Sequence, residues 1–137
     1  MITATVELHG NFFSRQILRA LHDHTNRIVD ESTKLLVTTI QRNLDVAIYN
    51  VGGAHPDRYT PTGNYRRSIN GRMVGSMHGE VHDSGIVYGP WLEGVSSRNN
   101  ATRFKGYAAF RRATQDVDQK TGIIGARVIA DFIGYVS

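Results

Sequence analysis

No cysteine occurs among the 137 residues. Disulfides, thiolate metal centres, iron–sulfur clusters and cysteine nucleophiles are excluded together, so stability must come from core packing or association. Proline is scarce, with three residues, which sets the chain apart from collagen-like or linker-like compositions. Long apolar runs are also missing. The most apolar stretch, Gly122 to Val136, is interrupted by Arg127 and Asp131 and falls short of the roughly 20 residues a membrane span needs. The opening residues, MITATVELHGNFF, lack a basic region followed by an apolar run and a small-residue cleavage site, so no signal peptide is expected. Glycine is nearly absent from the first third. Only Gly10 precedes position 52, and the other thirteen follow it.

With 40% hydrophobic residues and a mean hydropathy of -0.31, the chain has the composition of a folded protein. Its length predicts a single domain over 1–137. The net charge of +4 arises entirely in the middle of the chain. Residues 1–50 hold five groups of each sign, residues 51–112 hold nine basic and four acidic, and residues 113–137 hold two and three. Arg66, Arg67 and Arg72 form one basic cluster; Arg98, Arg103 and Lys105 form another, with Arg111 and Arg112 close behind. A basic surface can take nucleic acid or an acidic protein. No RNP-like, zinc-finger, basic-zipper or glycine-rich lysine motif accompanies these residues.

Periodicity predicts an α+β fold: a long N-terminal helix, a small antiparallel sheet and C-terminal helices. Residues 4–8 read as a short strand. From Ser14, a candidate N-cap, the residues Ile17, Leu21, Ile28, Leu35, Ile40, Leu44 and Ile48 recur at helical steps, with a kink or break expected near 38–43. A helix over 14–48 would extend about 50 Å, too long to stand alone in a domain of this size, so it either protrudes or packs along a neighbour. Residues 50–63 read as a loop. Period-two alternation over 65–77 and again after a turn at His78-Gly79 predicts a hairpin whose glycines are best understood if another part of the structure approaches closely. Pro90 suits the first turn of a short helix. Residues 94–103 read as a polar loop, and two helical stretches, 105–119 and 123–133, meet at a break at Thr121-Gly122.

Catalytic constellations are weak. His22 and His24 do not share a helical face, and His78 and His82 lie across the predicted turn without a third ligand. Glu80, Asp83 and Glu93 have no defined separation, and no serine sits in a nucleophile-elbow context. A small metal-dependent nuclease therefore remains a distant reading, with no cofactor expected. In an extended segment Arg66 and Arg67 would point to opposite faces, one to a carboxylate of the same subunit and one to a neighbour; the alternative is a solvated turn. Trp91 belongs to a core or an interface, since no second aromatic flanks it at base-stacking spacing.

Two segments carry a family likeness. Thr60-Pro61-Thr62-Gly63-Asn64-Tyr65-Arg66-Arg67-Ser68-Ile69 and Tyr88-Gly89-Pro90-Trp91-Leu92-Glu93-Gly94-Val95-Ser96-Ser97-Arg98 resemble, in order and spacing, two elements of the tailed-phage HK97 gp10-like family of tail components. Gly89 stands where that family has alanine, Gly94-Val95-Ser96 departs from its aromatic–Gly–Thr order, and Ala101 to Tyr107 gives only a loose version of its following element. The resemblance covers about residues 14–120. It implies a non-enzymatic structural protein of the phage neck, acting in head–tail connection or tail completion. Such a protein would be a cyclic homo-oligomer, a hexamer or dodecamer, in contact with other neck or tail proteins. DNA would pass through its lumen without sequence-specific contact, and no membrane would be involved. Its location would be the virion, after assembly in the host cytoplasm. Within that reading the first helix (Leu21, Ile28, Leu35), the hairpin and Trp91 are expected at the ring interface. Arg66, Arg67 and Glu93 are its expected charge partners, and Gly53, Pro56, Arg98 and Arg103 mark docking loops. The competing reading is a nucleic-acid-binding module using the basic segment 58–112.

Overall fold

A computed structural model describes residues 14–49 and 63–137. The α+β expectation holds: a long helix, a two-stranded antiparallel sheet and further helices follow one another along the chain. Helix α1 spans Arg15–Leu44, and Ser14 caps it by accepting from the Ile17 amide at 3.2 Å. The expected break at 38–43 does not occur. Thr38 and Thr39 lie inside the helix with their hydroxyls bonded back to carbonyls three and four residues earlier. The irregularity comes later, as a π-helical turn over Asp45–Tyr49. The expected strand at 4–8 and loop at 50–62 lie outside the described residues.

Residues 64–68 are not extended as the alternation suggested. They form a one-turn helix, α2 (Asn64–Ser68), opened by Gly63 at φ 75. Tyr65 and Ile69 are four apart and both buried, so this turn, not a pleat, delivers them to the core. Strands β1 (Asn70–Gly75) and β2 (His78–His82) follow, with Asn70 opposite His82 and Gly71 opposite Val81. The hairpin turn is at Ser76-Met77 and not at His78-Gly79, with Met77 at φ 54. After it come two short helices, α3 (Gly89–Glu93) with Pro90 in its first turn, and α4 (Ser97–Ala101). The second was expected as loop. It is held by a capping box in which Ser96 and Asn99 satisfy each other's amides. Helix α5 runs unbroken over Ala109–Val136. It starts later than the pattern suggested and shows no break at Thr121-Gly122, where the Thr121 hydroxyl donates to the Val117 carbonyl.

The long helix does have a neighbour, within its own chain. Helices α1 and α5 lie antiparallel: Asn43 Nδ2 donates to the Ala109 carbonyl at one end, and Arg27 meets Asp131 at 3.0 Å toward the other. On its other side α1 carries the hairpin. A Cβ on Gly71 would stand 2.8 Å from Val37 Cγ2, and one on Gly79 would overlap the Thr33 hydroxyl. These strand glycines let the sheet lie directly on α1. Thr33 faces the hairpin and Glu31 faces α5, where Arg127 pairs with it. Two residues along a helix is a rotation of about 200°. The layers are therefore hairpin, α1, α5. The core gathers Ile40, Leu44, Tyr65, Ile69, Ala109 and Ala113, all buried, where the C-terminal end of α1 meets the start of α5.

Candidate functional site

The two family-like segments, separated by eighteen residues in sequence, meet in space. The Tyr65 and Tyr88 rings lie 6.0 Å apart, and Gly89 is packed so closely between Asp83 and Tyr65 that a Cβ there would overlap the Asp83 carboxylate. Burial pushes the Tyr65 phenol well above its ordinary pKa, with the negative charges of Asp83 and Glu93 and the neighbouring Tyr88 adding to it, so it stays neutral.

The polar side chains of this junction are committed to the fold. Arg66 Nε donates to Asp45 Oδ1 at 2.6 Å, fastening α2 to the π-turn. Arg67 bonds to Asn64 within its own turn. The picture of two arginines on opposite faces of a strand is thus replaced by two arginines on a helical turn. Glu93 accepts from the Phe110 and Arg111 amides, each at 3.0 Å, and caps α5. Arg66 and Glu93, expected as charge partners between subunits, therefore have intramolecular partners. Trp91 packs against Phe104 at 4.6 Å between centroids, Phe104 against Tyr107 at 5.0 Å, and the Arg98 guanidinium sits 5.2 Å from the Trp91 centroid. Beneath them the buried Asn99 donates to the carbonyls of Trp91 and Phe104. Sequence reasoning passed over Asn99. Its only signal was the Ser96-x-x-Asn99 spacing, a variant of the usual Glu or Gln box.

Among the described residues a Ser–His–Asp grouping lies in a cleft of about 570 Å³ between α1 and the hairpin tip. His22 Nε2 lies 2.5 Å from Ser76 Oγ, and Asp23 is 3.7 Å from His22 Nδ1. It is not wired for nucleophilic catalysis. Asn26 Oδ1 accepts from the Met77 amide at 2.6 Å, which turns its NH2 toward His22 Nδ1 at 3.4 Å. With Nδ1 accepting from Asn26, a neutral ring would carry its proton on Nε2 and donate to Ser76. The hydroxyl then has no base, and Asp23 is beyond hydrogen-bond distance. Among the described residues no three His, Asp or Glu side chains gather as a metal-ligand set.

The outer surfaces are less committed. Leu21 is 47% exposed on α1, while Ile28 and Leu35 are half-buried. Arg98 and Arg103 are exposed, and Gly53 and Pro56 lie outside the described residues. On α5, residues 121–137 hold two charges, Arg127 and Asp131, and both turn inward to Glu31 and Arg27 of α1. Away from these charges α5 is apolar: Ile129 and Ile133, each two residues from Arg127 or Asp131 and so about 200° round the helix, are 54 and 55% exposed, and Ile123, one turn before Arg127, is 73% exposed. The outer hairpin face carries exposed Val74 and the Arg72–Glu80 pair, with Met77 exposed at the turn. Among the described residues no helix is long and apolar enough to cross a membrane. Compared with known proteins, the chain matches no family model, no curated protein and no solved structure.

Proposed function

We propose that the protein is a structural subunit of a tailed-phage neck that self-associates into a ring, joining head to tail or completing the tail end around the DNA channel. The observation that carries this reading is the layer order. Both outermost layers carry exposed apolar side chains, Val74 and Met77 on the hairpin and Ile129 and Ile133 on α5, with α1, itself exposing Leu18 and Leu21 near its start, between them. A closed ring needs two different, mutually complementary patches on each subunit. Hairpin against α5 supplies such a head-to-tail pair. The small residues Gly122, Ala126 and Ala130 allow close approach of a neighbour's backbone.

The family-like segments support the reading in a second way. Their polar side chains (Arg66 on Asp45, Glu93 on the start of α5) build a rigid scaffold and leave the outer layers free for contact. The junction of Tyr65, Tyr88 and Gly89 holds hairpin, α1 and α5 in fixed relation, as a repeating ring unit requires.

Light scattering tests this directly. The protein is expected as one discrete oligomer at low and at high salt, because the contact is apolar. Ile129→Glu with Ala130→Glu is expected to give a folded monomer, with unchanged helical circular dichroism. A strictly monomeric wild-type protein that is also absent from assembled phage particles would defeat the reading.

A further inference from the structure

The basic residues of the middle segment divide sharply once their partners are known. Arg66 pairs with Asp45, Arg72 with Glu80, and Arg67 bonds to Asn64. Arg98, Arg103, Lys105, Arg111 and Arg112 are all exposed, and none has a carboxylate partner among the described residues. From Gly94 to Gln115 the chain has five basic residues and no acidic one.

These five cations share one end of the molecule. Tyr107 N donates to the Leu92 carbonyl, Lys105 Nζ to the Asn99 carbonyl, and Asn99 ties α3 to the segment before α5. Glu93, which borders this cap, is spent on the Phe110 and Arg111 amides, and Asp116, one turn beyond Arg112, faces Arg42 at 3.9 Å. Arg98 is steadied over the Trp91 ring.

We infer that this cap, from α4 to the first turn of α5, binds the phosphate backbone of duplex nucleic acid without reading its sequence. Four of the five cations are arginine, whose planar fork matches phosphate oxygens. A protein-binding patch has an apolar centre with a charged rim, and here the charges make up the patch itself. Single strands are disfavoured because Trp91, Phe104 and Tyr107 are half-buried and packed in series on one another, not set out as separate platforms for successive bases. The inference stands apart from the ring reading, since binding is a property of the folded subunit. It narrows the basic segment 58–112 to its second cluster with Arg111 and Arg112.

Fluorescence anisotropy of a short labelled DNA duplex, titrated with the full-length protein between about 50 and about 200 mM salt, tests it. Steep salt dependence is expected. Arg111→Gln with Arg112→Gln should weaken binding at least tenfold at low salt and lower the log–log salt slope by about two. Their side chains make no hydrogen bond or ion pair among the described residues, so the fold should persist, checked by circular dichroism. Arg72→Gln with Arg127→Gln removes the same net charge from paired sites and should change affinity less than twofold. Absence of duplex binding at low salt, or an equal loss in the paired-site control, overturns the inference. So does binding to polyglutamate or to single-stranded DNA as tight as to duplex. Light scattering on the same samples reports the oligomer separately, so the two readings fail independently.

Discussion

Glu93 accepts two backbone hydrogen bonds, from Phe110 to Oε2 and from Arg111 to Oε1, both 3.0 Å long. It serves as the cap of a helix that begins well downstream in sequence. The residue at the local cap position, Ala108, has no side-chain acceptor and sits at φ 52. The first-turn amides of α5 would otherwise be unsatisfied, and a carboxylate there also complements the helix dipole. Glu93→Ala is expected to cost about 1–3 kcal/mol, the range for hydrogen bonds to a charged group. Urea unfolding would measure it. Glu93→Gln should recover part of the loss, because the amide retains one acceptor while its NH2 faces a second donor.

A pair of glycines closes the same region. Gly94 and Gly106 stand at φ 95 and φ 86 with their backbones in contact; a Cβ on Gly94 would stand 2.2 Å from the Lys105 carbonyl oxygen, and one on Gly106 would stand 2.4 Å from Gly94 Cα. Alanine at either position is expected to cost more than about 2 kcal/mol, from strained backbone and steric overlap together. Gly125→Ala provides the contrast. Gly125 lies inside α5 with nothing within 4 Å of a new Cβ, so the change should stabilise by up to about 1 kcal/mol. Thermal melts of the three variants check both signs.

Tyr65 links the junction to pH. Its folded pKa is raised by burial and by Asp83, Glu93 and Tyr88, so the folded state holds this proton more tightly than the unfolded chain does. The stabilisation is fully present below the unfolded value near 10 and declines as pH rises above it, with a limiting slope of about 1.4 kcal/mol per pH unit for one proton. Tyr65→Phe should remove that component of alkaline destabilisation while keeping the buried ring. Denaturant unfolding of both proteins between about pH 8 and pH 11 measures the difference. Equal alkaline slopes would place the phenol in a more open environment than the one described.

The sequence was informative where a local signal and the fold agreed. Ser14 reads as a cap and is one, Pro90 opens a short helix, and the recurrence from Ile17 to Leu44 marks α1. It misled where a distant partner decides the outcome. Alternation over 65–77 concealed the turn at Asn64–Ser68, because buried Tyr65 and Ile69 fit both a two-residue and a four-residue period. The start of α5 was illegible because its cap is Glu93, and the continuity of α5 through Gly122 depends on packing along α1 that no local propensity reports. The arginines of the first basic cluster looked available until Asp45 and Glu80 were found beside two of them. The apolar outer side of α5 was visible as a broad hydrophobic pattern. Its exposure follows only from seeing Arg127 and Asp131 turn toward Glu31 and Arg27.

The absence of cysteine makes the central claim directly measurable, because any introduced thiol is the only one present. Val74→Cys on the hairpin and Ile129→Cys on α5 would stand on opposite outer layers, too far apart to join within one subunit. In a head-to-tail ring, mild oxidation of a mixture of the two single variants should give the mixed dimer in preference to either self-paired dimer. A protein carrying both substitutions should give a ladder that ends at one closed species. Self-paired dimers alone, or no cross-link at a concentration where the wild-type protein is oligomeric, would contradict the hairpin-to-α5 ring.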